Sequence, residues 1–518
     1  MQNDKNKKEF FSELKKSCNF KNFIIKYRMY RISIIYNGGG LSMKREEIFC
    51  GDSIKEECGV FGIYDKTNSV DVARLTYYGL YALQHRGQES CGIAINNLSK
   101  DGVIQMLHYK DTGLLQEVFN DLVLRELTGY AAVGHVRAAV AKDRGRENVQ
   151  PLVSRYQKGT FSLAYNGSLL DAGKIRSQLE EQGAIFHTSN DIEVIAYLLA
   201  KERIHTNSTA EALVEVMKKI NGAYSLIILT PQRMVVARDP QGFRPLVIGK
   251  LNESWVFASE TCALDSVGAE YVRDVDPGEI IVVDNDGLHS NKGMCGQKSS
   301  LCVFEYIYNA RPDSVIDGAS VHSARLNAGK FLAQESPVDA DVVIGVPDSG
   351  LDAALGFSYE SGIPYGVGFI KNRYIGRTFI QPTQAEREAA LRIKLNAMRE
   401  AVEGKRVIMV DDSIVRGTTC RRIVNLLREA GATEVHVRIS SPPFLNPCYF
   451  GTDIDSRDKL IACQFTIEEI CEKIGADSLA YLSINAMQNL VPNCRLECCD
   501  ACFTGNYPVD VTAMDDNK

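Results

Sequence analysis

Residues 406–419 read Arg-Val-Ile-Met-Val-Asp-Asp-Ser-Ile-Val-Arg-Gly-Thr-Thr. An apolar run, Val407 to Val410, ends in two adjacent acids. A turn rich in Ser, Gly and Thr follows, then an amphipathic segment marked by Ile423, Leu426 and Leu427. That order predicts a buried parallel strand, a loop at its carboxyl end, and a helix that starts where the loop closes. Ligands of open α/β sheets bind outside the carboxyl ends of strands, and a helix N-terminus favours phosphate. The hydroxyls of Ser413, Thr418 and Thr419 add donors, Arg416 stands in the same turn, and Gly417 lets the backbone approach closely. Asp411 and Asp412 are placed to hold a ribose diol or a hydrated magnesium ion. Such a site asks for a sugar that carries a phosphate. The plainer reading of an acid pair before a helix is an N-cap.

The plan recurs upstream. Asp341 to Val346 reads as a second buried strand, ended by Pro347-Asp348-Ser349-Gly350, a turn able to present N–H groups to a diphosphate. Between the two strands, Lys371 to Ile380 is basic, aromatic and interrupted by Gly376. That composition suits a lid that closes over an anion and expels water; a solvated surface loop is the alternative. These residues resemble the type I phosphoribosyltransferase signature. The resemblance implies a parallel-sheet α/β domain whose acid pair binds the ribose hydroxyls of 5-phosphoribosyl pyrophosphate (PRPP), and whose following loop binds the 5-phosphate. Carried over, the PRPP-binding positions are Asp348, Ser349, Lys371, Arg377, Asp411, Asp412, Ser413, Arg416, Gly417, Thr418 and Thr419. Ser349, Asp411 and Asp412 are the magnesium-linked positions.

With 518 residues the chain has room for two or three domains of roughly 150–250 residues. Its 45% hydrophobic and 24% charged content is that of a soluble globular protein. A formal charge of −6 offers no basic footprint for nucleic acid. No apolar run approaches the ~18 residues that span a membrane. Fifteen scattered cysteines in a chain of this size point to a reducing cytoplasm, with some thiols used as ligands or nucleophiles. The first 42 residues are rich in Lys, Asn, Ile, Phe and Tyr without clean periodicity, and end in Gly38-Gly39-Gly40-Leu41-Ser42 before Met43. They read as a basic tail, as a transit peptide, or as upstream codons preceding a true start at Met43. The last is the expectation adopted.

In the amino-terminal half, Cys58 opens Cys-Gly-Val-Phe-Gly-Ile, an apolar alternating strand. Polar clusters follow at Gln84-His85-Arg86-Gly87, Gly134-His135-Val136-Arg137, Tyr165-Asn166-Gly167 and Ser189-Asn190-Asp191. Each follows or interrupts a strand-like run, as loops over a sheet do. These blocks resemble the class II glutamine amidotransferases, which implies an Ntn-hydrolase αββα sandwich whose propeptide is removed to make the cysteine residue one. An exposed α-amine with a pKa of ~7.7–8.0 can take the proton of the thiol, whereas an amide cannot. By that resemblance Cys58 is the nucleophile, Asn166 and Gly167 form the oxyanion hole, and Arg137 and Asp191 bind the glutamine carboxylate and ammonium. The family usually continues Tyr-x-Thr where this chain has Ala138-Ala139-Val140, and has His where this chain has Tyr165. These departures predict weakened glutamine affinity or coupling. Ala258 to Leu264 reads as a helix start with a capping residue, and Asn285–Gln297 as the stretch that holds the boundary with the second domain.

Together the halves divide as an extension and propeptide (1–57), a glutamine amidotransferase domain (58–295) and a phosphoribosyltransferase domain with a cysteine-rich tail (296–518). Their order, with Phe304-Glu305-Tyr306-Ile307-Tyr308-Asn309-Ala310-Arg311-Pro312-Asp313-Ser314 between the motif sets, resembles the amidophosphoribosyltransferase family. The resemblance implies that glutamine is hydrolysed at Cys58 and that ammonia crosses an apolar passage to displace pyrophosphate from PRPP. It also implies a homotetramer inhibited by purine nucleotides. A relative using free ammonia, a PRPP-sensing regulator and an interaction protein are the competing classes; the regulator would need a DNA-binding module and a basic face. Cys302, Cys448, Cys499 and Cys502 form a candidate ligand set, whose spacing leaves zinc, an iron–sulfur cluster and unliganded thiols open. Resemblance to members with Cys-x-x-Cys-Phe-Thr-Gly-x-Tyr-Pro implies a [4Fe–4S] cluster, with Cys494 and Cys498 as nearby alternatives.

Overall fold

The computed structural model describes residues 58–99, 101–138, 145–372, 395–452, 454 and 456–511, and the backbone of three strands before them. Those strands, Asn22–Tyr27, Ile32–Asn37 and Gly40–Arg45, form an antiparallel meander in which Met43 lies opposite Ile34. They belong to a unit, Met1–Gly51, apart from the body Asp52–Lys518. Glu57, Val140, Arg377 and the lid residues 373–380 lie outside the described residues.

The first half of the body is a four-layer αββα sandwich. One sheet has seven strands in the order Glu270–Asp274, Val247–Leu251, Ser254–Ala258, Gly59–Tyr64, Ala131–Arg137, Ser90–Leu98, Ile104–Thr112. The other has six, in the order Gly287–Asn291, Ile280–Asp284, Met234–Arg238, Gly222–Leu229, Gly159–Leu169, Leu152–Tyr156. Val60, Val133, Ala164, Ile227 and Val236 pack between the sheets. Phe61, Ile63 and Leu80 pack under the helices Val72–Ala82 and Thr261–Val267. Leu163, Leu226 and Ile195 pack against helices between Ala172 and Met217 on the far side.

This layering corrects one expectation. The strand after Cys58 is buried at every position rather than on alternate ones, because its second face meets helices instead of water. The stretch Asn285–Gln297 differs too. Its first part is a hairpin, with Gly287–Asn291 adding an edge strand to Ile280–Asp284, so the Asn and Asp there mark a turn.

The second half holds a parallel sheet ordered Val342–Gly345, Arg406–Asp411, Glu434–Ile439, Ser478–Tyr481. Val343, Ile408 and Val410 face the helices Val321–Glu335 and Gly350–Ser361. Val407 and Met409 face Ile423, Leu427, Ile470 and Ile474 on the helices Thr418–Glu429 and Ile467–Ile474. Helices on both faces explain the unbroken apolar run that opened the sequence reading. The tail returns to the body where Cys498–Cys499 pairs in parallel with Leu301–Cys302. Among the described residues no helix is long and apolar enough to cross a membrane.

His135 ties the two sheets of the sandwich together. Its Nε2 lies 2.9 Å from the carbonyl oxygen of Tyr165, which requires the ring proton on Nε2. Burial, with the charges of Arg137 and Lys110, pushes its pKa down from 6.5 to about 3. The unfolded chain therefore binds a proton below pH 6.5 that the folded chain refuses. The contribution is complete above that pH and is lost as pH falls towards 3, by about 1.4 kcal/mol per pH unit. His135→Gln should flatten the acid limb of the stability curve by about one proton, read from urea midpoints between about pH 4 and pH 7.

Candidate active site

Cys58 stands just before the strand Gly59–Tyr64, whose neighbour Ala131–Arg137 places Val136 opposite Gly59. The ends of both strands thus bring Cys58, Arg137 and Ala138 to one edge of the sheet. The Cys58 thiol lies 3.8 Å from the Ala138 carbonyl oxygen. This contact uses backbone, so the alanine at 138 leaves it intact.

From the facing sheet, Tyr165 is held by His135 through its carbonyl, so Asn166 and Gly167 follow at the same edge. Asn166 is buried and its Nδ2 has no hydrogen-bond partner, a donor held ready for an incoming oxygen. Gly167 has φ +153°, and a Cβ there would meet the Ala223 carbonyl oxygen at 1.9 Å, so no other residue fits. Asp191 opens the helix Asp191–Glu202 and accepts from the Leu169 N–H at 2.9 Å, which fixes it beside the same strand. The structure therefore brings Cys58, Arg137, Asn166, Gly167 and Asp191 to one end of the sandwich. Tyr165 points the other way, into the helix-facing core, where burial pushes its unpartnered hydroxyl well above the usual range.

Sequence reasoning missed what lies beneath Cys58. Arg86, buried to 1% exposure, donates from Nε to the Cys58 carbonyl at 3.1 Å. Its other nitrogens reach Glu260 at 2.7 Å and Glu305 at 2.8 and 2.9 Å. Glu260 precedes the helix Thr261–Val267 but caps nothing with its side chain, contrary to the expected capping residue. It accepts instead from His85, Arg86, the Arg311 N–H and the Ser314 hydroxyl. Burial alone would raise its carboxyl, yet His85 and Arg86 hold it well below the usual carboxylate range. The available signal was charge inside apolar sequence, above all Glu305 within Val303-Phe304-Glu305-Tyr306-Ile307.

In the second half the loops after two adjacent strands meet. Val346 N–H donates to the Val410 carbonyl at 2.9 Å, and the Ser349 hydroxyl bonds Asp412. The Pro347–Asp348 peptide is cis. Ser413 donates to the other oxygen of Asp412, and Lys371 pairs with Asp348. Asp411 and Asp412 are 7% and 8% exposed. Burial raises both carboxyls, and the Asp412 charge pushes Asp411 up further. Two carboxylates this close and this dry are a place where a cation or a diol is welcome. The helix Thr418–Glu429 starts behind Gly417, which has φ +82° and offers no capping side chain. The N-cap reading of the acid pair therefore fails: neither acid caps this helix. Arg416, Thr418 and Thr419 stand at the same loop and first turn.

Cys302, Cys448, Cys499 and Cys502 line one cavity with Phe243, Phe304 and Phe450. Burial, with the neighbouring sulfurs, pushes Cys502 well up and Cys499 to about 12. Cys494 and Cys498 are not on this wall. Cys494 Sγ lies 3.4 Å from the Tyr306 hydroxyl on another core. Among the described residues no three His, Cys, Asp or Glu side chains close on a point that could hold a single metal ion.

Comparison with known proteins bears on both halves. The family profile described as "Glutamine amidotransferase domain" matches residues 135–266, and "Phosphoribosyl transferase domain" matches residues 320–440. The amidophosphoribosyltransferase of Bacillus subtilis (strain 168) is 50% identical over 465 residues, covering 88% of this chain and 95% of that protein. That of Synechocystis sp. is 51% identical over 464 residues, covering 89% and 92%. The solved structure of the B. subtilis glutamine PRPP amidotransferase, complexed with ADP and GMP, superposes with a TM-score of 0.80 at 50% identity, covering 88% of this chain and 98% of that one. Likeness of this degree runs through both halves and the segment joining them, and the chain belongs to the amidophosphoribosyltransferase family.

Proposed function

We propose that this chain converts PRPP, glutamine and water to 5-phosphoribosylamine, glutamate and pyrophosphate, the first committed step of purine synthesis. The observation that carries the reading is the pairing, in one chain, of a strand-end thiol and a buried, unpartnered amide donor on the facing sheet with a buried acid pair at the carboxyl end of a parallel sheet. No observation favours the ammonia-only relative, the PRPP-sensing regulator or the interaction protein.

Removal of residues 1–57 frees the Cys58 α-amine, which takes the thiol proton. The sulfur attacks the glutamine amide carbon, and Asn166 Nδ2 with the Gly167 N–H holds the oxyanion. Arg137 clamps the glutamine carboxylate and Asp191 its ammonium. Ammonia released on acylation passes through an apolar passage to C1 of the sugar. There Asp411 and Asp412 hold the ribose hydroxyls, and Ser413, Arg416, Gly417, Thr418 and Thr419 the 5-phosphate. Asp348, Ser349 and Lys371 bind the pyrophosphate, and family resemblance adds Arg377 to them. The catalytic domains run from 58 to 295 and from 296 to 518.

The acid pair fits magnesium, because Asp411 and Asp412 set hard oxygen ligands side by side, with the Ser349 hydroxyl against Asp412. Ser349, Asp411 and Asp412 would hold the ion, which when bound neutralises the diphosphate leaving group. The cysteine set fits a [4Fe–4S] cluster better than zinc. Family resemblance supports that choice, and the four cysteines line one cavity. Cys302, Cys448, Cys499 and Cys502 would hold the cluster, whose role is to pin the tail to the body. A cytoplasmic homotetramer inhibited by purine nucleotides completes the reading, supported by family resemblance and by the ADP and GMP in the B. subtilis structure.

PRPP-dependent pyrophosphate release should occur with glutamine and with ammonium chloride, and Cys58→Ala should lose the first while keeping the second. Unchanged glutamine turnover in that variant would refute the nucleophile. Asp412→Asn should cut release with both donors by about 10²–10³-fold; a loss confined to glutamine would remove Asp412 from the sugar site. Cys302→Ser, purified anaerobically, should lose iron, sulfide and brown absorbance together with thermal stability. Retained stability without the colour would argue against a structural cluster.

A further inference from the structure

Glu305 stands where the two halves of the body meet. It is fully buried and begins a single turn of π-helix, Glu305–Asn309. Its Oε1 accepts from Arg86 Nη2 at 2.8 Å and from Arg244 Nη1 at 3.5 Å, while Oε2 accepts from Arg86 Nη1 at 2.9 Å. One carboxylate thus serves two buried guanidinium groups.

The two arginines hold different things. Arg86 holds the carbonyl of Cys58. Arg244 donates from Nη2 to the Phe450 carbonyl and reaches the Thr452 hydroxyl at 3.4 Å. The loop it grips lies on the oxyanion-hole glycine: a Cβ on Gly451 would stand 3.0 Å from Arg244 Nη2 and 3.5 Å from the Gly167 carbonyl carbon. Phe450 stacks on Phe243 with centroids 4.2 Å apart, which fixes the same loop from its other side.

The π-turn has a second restraint. Arg325 donates to the carbonyls of Tyr306, Tyr308 and Ala310 at 2.9, 3.0 and 2.7 Å. It comes from the helix Val321–Glu335, which packs on the parallel sheet of the sugar site. The turn is therefore gripped by the glutaminase half at its first residue and by the phosphoribosyl half along its carbonyls.

We propose that Glu305 is a positioning residue for glutamine hydrolysis, set at the junction of the two halves: through Arg86 it orients Cys58, and through Arg244 it sets the Phe450–Thr452 loop against the oxyanion hole. The proposal rests on the reading of Cys58 as a freed terminal nucleophile. Once the propeptide is gone, the α-amine and the thiol are tethered only through the carbonyl side of that residue. The bond from Arg86 to the carbonyl then governs where both groups point. A carboxylate that also holds the facing loop keeps glutamine hydrolysis in register with the half that consumes ammonia.

Glu305→Gln removes the charge and keeps the shape. The variant should keep ammonia-dependent pyrophosphate release within about twofold and lose about 10- to 100-fold in glutamine-dependent kcat, the usual effect of a small misplacement. Glutamine KM should move less, and glutamate released per pyrophosphate should rise above the wild-type ratio as ammonia escapes. Equal losses with both donors, or an unchanged ratio, would overturn the proposal and leave Glu305 a packing residue. Should Glu305→Gln fail to fold, Arg244→Lys decides by the same readouts, because it keeps the buried charge and loses the fork that reaches Phe450 and Thr452. Cys58→Ala run in parallel separates the two readings: glutamine use surviving in it would sink the nucleophile assignment, whatever Glu305 does.

Discussion

Two arginines and two glutamates are buried together at the heart of this molecule, Arg86 and Arg244 with Glu260 and Glu305, each at no more than 1% exposure. Charges removed from water must be matched almost atom for atom, since leaving one unpaired costs about 3–5 kcal/mol. Here the matching partners come from distant parts of the chain: the turn after the first helix, the strand connections of the sandwich, and the opening of the second half. Pairing them is possible only if those parts meet. The network therefore demands the way the halves are assembled, in a manner that apolar contact, which is indifferent to small slips, does not.

The same demand accounts for the unusual backbone at Glu305–Asn309. A π-turn exposes carbonyls that an α-helix would satisfy internally. Arg325 meets three carbonyls between Tyr306 and Ala310, so local irregularity is compensated by a side chain from the neighbouring helix. The buried amide of Asn309 has no partner, which places the remaining cost of the turn within it.

Much of this was legible in the sequence, for identifiable reasons. The parallel strand at Arg406–Asp411 announced itself because both its faces are apolar and its end is polar, which fixes strand, loop and helix at once. The gathering of Cys58, Arg137, Asn166 and Asp191 at one end of the sandwich was legible because short polar blocks interrupt strands at the points where strands end. The expected alternation after Cys58 failed because periodicity reports how many faces meet water, and in a four-layer sandwich that strand has none. The helix start expected over Ala258 to Leu264 is there, but without a side-chain cap, because the acid at its N-cap, Glu260, serves a distant arginine instead. Long-range ion pairing leaves no local period, so Arg86, Arg244 and Glu305 could be seen only as misplaced charge. The acid pair carried the opposite ambiguity, and Gly417 resolved it by starting the helix without either acid.

The cysteine cavity and the glutaminase edge also share a structural element. Cys448 lines the cavity, and its sulfur accepts from the Phe450 N–H at 3.4 Å. Phe450 lines the same cavity, stacks on Phe243 and gives its carbonyl to Arg244. The next residue, Gly451, lies against Gly167. The four residues Cys448 to Gly451 thus run from the thiol wall to Gly167. Whatever holds the four sulfurs in place also limits how far Phe450 can shift, and through it the backbone that faces Gly167.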